Sequence, residues 1–209
     1  MSSKRTLAKR LRVVADFEEP RPDLEQYRTP PDLAATLVHT ADLQGDVTGG
    51  LVVDLGCGTG ILALATALRD PTGVVGVELD DGALSIAREN ERRVEPPTGV
   101  SWVEGDATRP PLCPDAPTTV LMNPPFGAQS GNEHADRAFL GAAAELGDVS
   151  YSVHNAGSAG FVESFAADNG GEITHGFAAE LELPKAFEFH REESRTLDVE
   201  IFRIEWTSG

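Results

Sequence analysis

The chain has 209 residues, 40% of them hydrophobic, which is enough for one domain with a continuous core and too little for two full domains. Acidic residues outnumber basic ones by 34 to 17, and the resulting net charge of -17 repels nucleic acid at low salt. At molar salt the Debye length falls to about 3 Å and short contacts decide binding, so we expect a salt-rich, halophilic cytoplasm, with an ordinary acidic protein as the alternative.

The composition does not indicate a metal site or a membrane segment. Cys57 and Cys113 lack CxxC spacing and have no clustered histidine pair beside them, so neither disulfides nor a zinc site is expected. No apolar run approaches the roughly 18 residues that span a bilayer. The basic start is not followed by a signal-type segment. We therefore expect a cytoplasmic protein with no metal of its own.

The first predicted element is a short amphipathic helix in the basic segment 1–12. This segment has no acidic residue and carries five basic ones, Lys4, Arg5, Lys9, Arg10 and Arg12. Apolar residues repeat at helical spacing at Leu7, Leu11 and Val14. The segment is predicted to be either a solvated helix or an arm that binds nucleic acid.

The region 21–45 is predicted to contain a second helix. Thr29 stands before two prolines, which is a typical helix start. The buried stripe of this helix is predicted at Leu33, Leu37 and Val38.

From residue 51 onwards, short apolar runs alternate with helical patterns. Five runs are predicted as strands, at 51–56, 73–80, 100–107, 118–123 and 149–155. Strands joined through helices are parallel, with right-handed crossovers. Two long alternating runs, 172–183 and 195–206, have no helix between them and predict an antiparallel pair. The fold class is therefore α/β over a core of 46–209, a Rossmann-like, doubly wound, seven-stranded sheet that is mostly parallel and ends in an antiparallel hairpin.

A glycine loop, "DLGCGTG", follows the first strand, where a ligand can approach main-chain N–H groups. Ile61 stands where a dinucleotide-binding loop has its third glycine, so pyrophosphate binding is not favoured. Glu78 ends the second strand, where a carboxylate can accept both hydroxyls of a ribose. Asp106 ends the third strand and can accept a hydrogen bond from an adenine amine. Each acid alone is equally well explained as a cap of its strand.

The sequence Asn123-Pro124-Pro125-Phe126 ends the fourth strand. Each proline fixes its own φ and disfavours helix in the residue before it, so Asn123 and Pro124 are held extended. The motif is therefore a rigid bracket at the carboxyl edge of the sheet, beside the pocket expected there. Since Asn-Pro also opens ordinary turns, a plain turn is the alternative.

Together, the loop and the two acids resemble the class I S-adenosylmethionine-dependent methyltransferases. The resemblance implies that Asp54 orients the loop or meets the cofactor's amine. It implies ribose binding by Glu78 and adenine contact by Asp106 and Ala107. The residues that it places beside the methionine moiety are Gly56, Gly58 and Gly60.

The bracket is similar to the N-P-P-[YF] motif of methyltransferases that act on a planar nitrogen. By that resemblance, the oxygen of Asn123 and the carbonyl of Pro124 accept both hydrogens of an exocyclic NH₂ group. Phe126 supplies a ring on which the substrate base stacks. The substrate is then adenine N6, cytosine N4 or a glutamine amide.

A wider resemblance covers nearly the whole chain. Segments including "DLEQYRTPPDLAATLV", "MNPPFG", "DRAFL" and "YSVHN" are similar to the small-subunit ribosomal RNA adenine-N6 methyltransferases of the methyltransferase-like family. The resemblance implies a cofactor site that includes Gln26, Tyr27, Thr29 and Asn123. It also implies ribosomal RNA as substrate and a small zinc-binding activator protein as partner. That partner adds a strand at the edge near Val100 and Trp102, and we expect Trp102 to serve this contact without affecting the glycine loop.

Two other functions remain open. A release-factor glutamine methyltransferase usually has tyrosine in the place of Phe126, and a non-catalytic RNA chaperone would not need the intact motif. The sequence carries no target-recognition domain of the size that DNA methyltransferases have, which makes DNA a less favoured substrate. His154 and His190 are either substrate contacts or structural groups.

Overall fold

The computed structural model of the protein describes residues 3–125, 135–184 and 194–207. Its strands are β1 (Leu51–Leu55), β2 (Gly73–Glu78), β3 (Val100–Glu104), β4 (Thr118–Met122), β5 (Val149–Asn155), β6 (Gly171–Pro184) and β7 (Ser194–Trp206). Its α-helices are α1 (Lys4–Leu11), α2 (Pro31–Gln44), α3 (Ile61–Ala67), α4 (Asp81–Val94), α5 (Ala135–Leu146) and α6 (Ala159–Asp168).

The strands form one seven-stranded sheet in the order β3-β2-β1-β4-β5-β7-β6. The pairs from β3 to β5 are parallel, whereas β7 runs antiparallel to both β5 and β6. The predicted doubly wound sheet with its closing hairpin is therefore confirmed. Because β1 and β4 are adjacent and the chain winds outwards from them, their carboxyl ends form the switch point at which such sheets bind ligands.

Helices cover both faces of the sheet, which explains why β4 is buried at every position. Side chains of α1, α2 and α3 pack on one face together with residues of β5 and β7, and those of α5 and α6 pack on the other. In the part of the chain that the structure describes, no helix is both long and apolar enough to cross a membrane.

Both predicted N-terminal helices are present. Ser3 caps α1 by accepting a hydrogen bond from the N–H of Thr6 at 3.2 Å. The buried residues of α1 include Leu7 and Leu11, so this helix is part of the core rather than a detached arm. The second helix, α2, begins at Pro31 and buries all three residues of its predicted stripe.

The third strand lies at an edge of the sheet, as predicted, but its tryptophan has a different role. The indole N–H of Trp102 donates to Glu91 at 2.8 Å, and the ring lies against the glycine loop. A Cβ atom added to Gly60 would be 2.6 Å from the ring. The expectation that a change at Trp102 leaves the glycine loop unaffected is therefore wrong, because the ring packs against Gly60 of that loop, whereas the contact with a partner stays a prediction.

A buried ion pair joins the connection between α2 and β1 to the last strand. The guanidinium of Arg203 binds both carboxylate oxygens of Asp46, at 2.7 Å and 3.0 Å. The hydroxyl of Tyr151 also donates to Asp46, and Thr119 donates to its main-chain carbonyl. These contacts join three strands, β4, β5 and β7, through one aspartate.

Candidate active site

One cavity opens at the carboxyl ends of the central strands. Its lining includes most of the residues predicted for the site: Gln26, Tyr27, Thr29, Asp54, Gly56, Gly58, Glu78, Asp106, Ala107, Asn123 and Pro125. Gly60 and Pro124 are not among its lining residues, and Phe126 lies outside the described residues. Residues that are far apart in sequence therefore meet in one place, as the strand order requires.

The three glycines of the loop are needed for backbone shape and for close packing. Each has a positive φ, which side chains rarely adopt. A Cβ atom on Gly56 would lie 3.0 Å from the Phe139 ring, and one on Gly58 would lie 2.8 Å from the Phe17 ring. The loop is thus held between aromatic rings, with its main chain open to the cavity.

Asp54 lines this cavity and carries one buried carboxylate oxygen without a hydrogen-bond partner in the part of the chain that the structure describes. Its Oδ2 accepts a hydrogen bond from the N–H of Ala63 at 2.8 Å, whereas its buried Oδ1 has no partner among the described residues. Burial raises the pKa of this carboxyl to about 7. A buried acceptor without a partner is costly, so the arrangement suits a ligand that brings a cationic donor.

Glu78 is bound on both of its oxygens by main-chain N–H groups. Oε2 accepts from Gly58 at 2.9 Å, and Oε1 accepts from Leu79 at 2.9 Å and from Asp80 at 3.0 Å. Glu78 is therefore a cap of its strand and a support of the glycine loop. Because each carboxylate oxygen has about two acceptor sites, Oε1 is fully used and Oε2 can still accept one hydrogen bond from a ribose hydroxyl.

Asp106 is held ionised at the opposite side of the cavity. Its Oδ1 accepts from the side-chain hydroxyl of Thr108 at 2.6 Å and from the N–H of the same residue at 2.8 Å. These bonds keep the pKa of Asp106 below its usual value, the hydroxyl contributing most. An ionised carboxylate only accepts hydrogen bonds, which fits an amine beside the adjacent Ala107.

The N-terminal segment 13–30, which we call the cover, closes one side of the cavity. Gln26 donates to Asp80 at 2.7 Å, where α4 begins. Asn90, fully buried on α4, accepts from the N–H of Ala15 at 2.8 Å and donates to the carbonyl of Thr59 at 2.9 Å. One amide thus ties the cover to the glycine loop.

Sequence reasoning missed Asn90 and Phe17. Asn90 had a readable signal, because it stands on the apolar stripe of α4 with Ala83, Ala87 and Val94, where a polar residue needs partners. Phe17 had none, since it lies in an irregular segment without periodicity.

Asn123 lies at the end of β4 with its side-chain amide between two hydroxyls. Its Nδ2 donates to Oγ1 of Thr29 at 2.9 Å, and the hydroxyl of Tyr27 donates to its Oδ1 at 3.3 Å. Burial raises the pKa of Tyr27, so its phenol stays protonated. The predicted bracket and the predicted cover residues are thus in direct contact.

The surroundings of His154 favour a structural role over a substrate contact. It is buried, bonds Ser152 at 2.8 Å and does not line the cavity. Burial lowers its pKa to about 4, so the ring is neutral at ordinary pH. His190 lies outside the described residues.

Comparisons with known proteins agree with this geometry. The sequence model described as "Methyltransferase small domain" matches residues 31–148. The rRNA N(6)-adenosine-methyltransferase Mettl5 of Drosophila melanogaster is 34% identical, over 96% of this chain and 95% of its own. METTL5 of Danio rerio, which bears the same enzyme name, is 33% identical over 93% of this chain and 94% of its own. The solved structure of PH1948 from Pyrococcus horikoshii is 36% identical, covers both chains completely and has a TM-score of 0.88.

Proposed function

The chain belongs to the methyltransferase small-domain family, and from that premise we propose that it methylates N6 of an adenosine in small-subunit ribosomal RNA. It is an S-adenosylmethionine-dependent methyltransferase. The observation that carries the proposal is the position of Asn123, whose amide is fixed by two hydroxyls at a cavity that Asp54 also lines. The substrate is proposed by similarity to the named relatives.

The residues of the cavity fit the cofactor. Asp54 would pair with its amine, the remaining acceptor site of Glu78 would bind its ribose, and Asp106 with Ala107 would meet its adenine. The bound cofactor supplies a methyl group on a sulfonium, which an amine nitrogen can attack. Main-chain groups of Gly56 and Gly58 border the methionine part, because the absence of side chains there leaves the loop accessible.

The chain's contribution to chemistry is to prepare the substrate amine. The lone pair of an exocyclic amine is delocalised into its ring, which makes the nitrogen a poor nucleophile. Two acceptors, Oδ1 of Asn123 and the carbonyl of Pro124, bind its two hydrogens and favour the pyramidal form, in which the lone pair is available. Transfer would form a carbon–nitrogen bond as the carbon–sulfur bond of the sulfonium breaks, so that the cofactor leaves as a neutral thioether and the nitrogen loses one proton to water. Phe126 is proposed to stack on the base.

RNA binding is proposed to involve the exposed basic side chains of α1. Its buried leucines hold α1 against the core, so these basic side chains lie on an ordered helix at the surface. Arg10 is held by the main-chain carbonyl of Val94 at 2.8 Å. Because the whole chain has a net charge of -17, we expect binding at the high salt of a halophilic cytoplasm, where repulsion is screened.

A small zinc-binding activator is proposed to pair with β3. The N–H of Gly105 donates to Glu78 in β2 at 2.9 Å, and strand residues alternate, so the main-chain groups of Trp102 and Glu104 point away from the sheet. These groups can accept an added strand. Affinity is then expected from main-chain bonds rather than from the Trp102 ring. Co-expression followed by size-exclusion chromatography tests this, and a fully active monomer would argue against it.

Nucleoside mass spectrometry tests the proposed function. Ribosomal RNA of a strain that lacks the gene should lose one N6-methyladenosine, and the purified enzyme should restore it on that RNA. Loss of methylglutamine on a release factor with unchanged RNA would instead identify the glutamine methyltransferase. If a variant without methyl transfer activity restored N6-methyladenosine when expressed in that strain, another enzyme would transfer the methyl group and this chain would be the RNA chaperone.

A further inference from the structure

We propose that Tyr27 and Thr29 are positioning residues that set the orientation of the Asn123 amide for catalysis. The proposal rests on the proposed function, in which Oδ1 of Asn123 accepts a hydrogen from the substrate amine. It is motivated by two contacts, at 2.9 Å from Nδ2 to Thr29 and at 3.3 Å from Tyr27 to Oδ1.

An asparagine amide needs such help because its two ends have similar shape and opposite chemistry. The oxygen accepts hydrogen bonds, and the nitrogen only donates them. Rotation about the last side-chain bond exchanges the two ends, and this torsion has a broad, roughly two-fold preference. If the nitrogen of Asn123 faced the substrate, two NH₂ groups would meet without a bond between them. Only one orientation is therefore productive.

The two hydroxyls differ in a way that selects this orientation. The oxygen of a phenol is conjugated with its ring, so Tyr27 donates a hydrogen bond better than it accepts one. Burial also keeps its proton in place. The aliphatic hydroxyl of Thr29, which is 7% exposed, is the better acceptor. A donor therefore faces Oδ1 of Asn123, and an acceptor faces its Nδ2.

The local sequence explains how both hydroxyls reach the same amide. Thr29 precedes a proline and is therefore held extended, and in an extended segment residues i and i+2 point to the same side. Arg28, between them, points elsewhere and donates to the carbonyl of Val14 at 2.8 Å. The cover thus contributes to substrate activation in addition to enclosing the cofactor.

Kinetics of hydroxyl-deleting variants test the proposal. On small-subunit rRNA transcribed in vitro, Tyr27→Phe and Thr29→Val should each lower kcat about three- to tenfold, the effect of one hydrogen bond, with little change in KM for the cofactor. Thr29→Ser restores the hydroxyl and should recover most of the loss. Thr36→Val, which removes an exposed hydroxyl on α2, is the matched control and should leave kcat unchanged.

An Asn123→Asp background separates orientation from other effects. A carboxylate has two equivalent oxygens, so neither orientation has to be selected. In this background Thr29→Val should therefore lower kcat by less than about twofold. An equal loss of kcat in both backgrounds would overturn the proposal, as would a raised KM for the cofactor with unchanged kcat.

A spectroscopic measurement makes the test independent of the substrate. The side-chain amide signal of Asn123 in ¹⁵N NMR, assigned by its absence in Asn123→Asp, should shift and exchange faster with water in Tyr27→Phe and Thr29→Val. Unchanged signals would refute the positioning role. If the wild-type protein does not methylate adenine, the proposed function fails, whereas the NMR result still decides whether the two hydroxyls hold the amide.

Discussion

The carboxylate of Glu78 accepts a hydrogen bond from the main-chain N–H of Gly58 at 2.9 Å, which joins the end of β2 to the centre of the glycine loop. The same carboxylate lines the cavity, so one side chain shapes the loop and faces the ligand. A substitution that removes the Glu78 carboxylate should therefore disturb the loop and the ligand contact together.

Glu78→Ala is therefore expected to weaken cofactor binding at least about tenfold, because hydrogen bonds to a charged group are worth roughly 1.5–3 kcal/mol. Isothermal titration calorimetry measures the change. Glu172→Ala, on the exposed face of β6, is the control and should leave the Kd unaltered. Equal affinities of Glu78→Ala and the wild-type protein would exclude both roles.

Asn123→Ala is expected to abolish methyl transfer and to leave cofactor affinity within a few-fold, because the amide is proposed to meet the substrate nitrogen. Calorimetry gives the affinity, and transfer of a labelled methyl group to rRNA gives the activity. A parallel loss of both would mean that Asn123 acts mainly on the cofactor.

Cofactor affinity should rise with pH up to about 7 because of Asp54. Its pKa is raised by burial, so the folded protein holds this proton more tightly than the unfolded chain does. A cationic amine favours the ionised carboxylate, and binding below pH 7 must therefore release the proton. The Kd should improve by up to about tenfold per pH unit between pH 5 and 7 and then level off.

Asp54→Asn should bind the cofactor more weakly and with a flat pH profile over this range. Without cofactor, the same shift makes the carboxyl's contribution to stability largest at low pH. That contribution is lost as the pH rises from about 4 to about 7. A pH-independent Kd of the wild-type protein would contradict the raised pKa.

Arg203→Met should lower the free energy of unfolding by about 1–3 kcal/mol, since it removes the cation from the partly buried carboxylate of Asp46. Arg93→Gln removes the half-exposed pair with Glu89 and should cost less than about 1 kcal/mol. Denaturant unfolding of both variants measures the difference. Similar losses would show that Asp46 is adequately bound by Tyr151 and solvent.

RNA binding by α1 is best tested without truncation. Removing residues 1–12 would also remove buried Leu7 and Leu11, and would confuse loss of charge with loss of core. The triple variant Lys4→Gln, Lys9→Gln, Arg12→Gln keeps the helix and should reduce the salt slope of RNA binding by about 2. Lys4→Arg with Lys9→Arg, which keeps the charge, should retain the slope. An unaltered slope in the triple variant would identify α1 as a solvated helix.

The doubly wound class of the sheet and the glycine loop could be predicted from the sequence because both follow from local patterns. Alternating strands and helices indicate the winding, and the position of Glu78 at the end of β2 follows from it. The role of Trp102 could not be predicted, because its contact with Gly60 depends on how α3 and α4 pack. The link from Asn90 to Ala15 joins residues 75 apart in sequence, and no spacing rule reports such a contact.

The order of the last two strands has a consequence for synthesis of the chain. Although β6 precedes β7 in sequence, β7 lies between β5 and β6 in the sheet. When β6 leaves the ribosome it has no neighbour to pair with, and β5 still presents an open edge. Both are exposed to other nascent chains until β7 emerges and inserts between them. The pairing of β6 with β7 is therefore the stage of synthesis at which the chain is exposed to faulty assembly with other molecules.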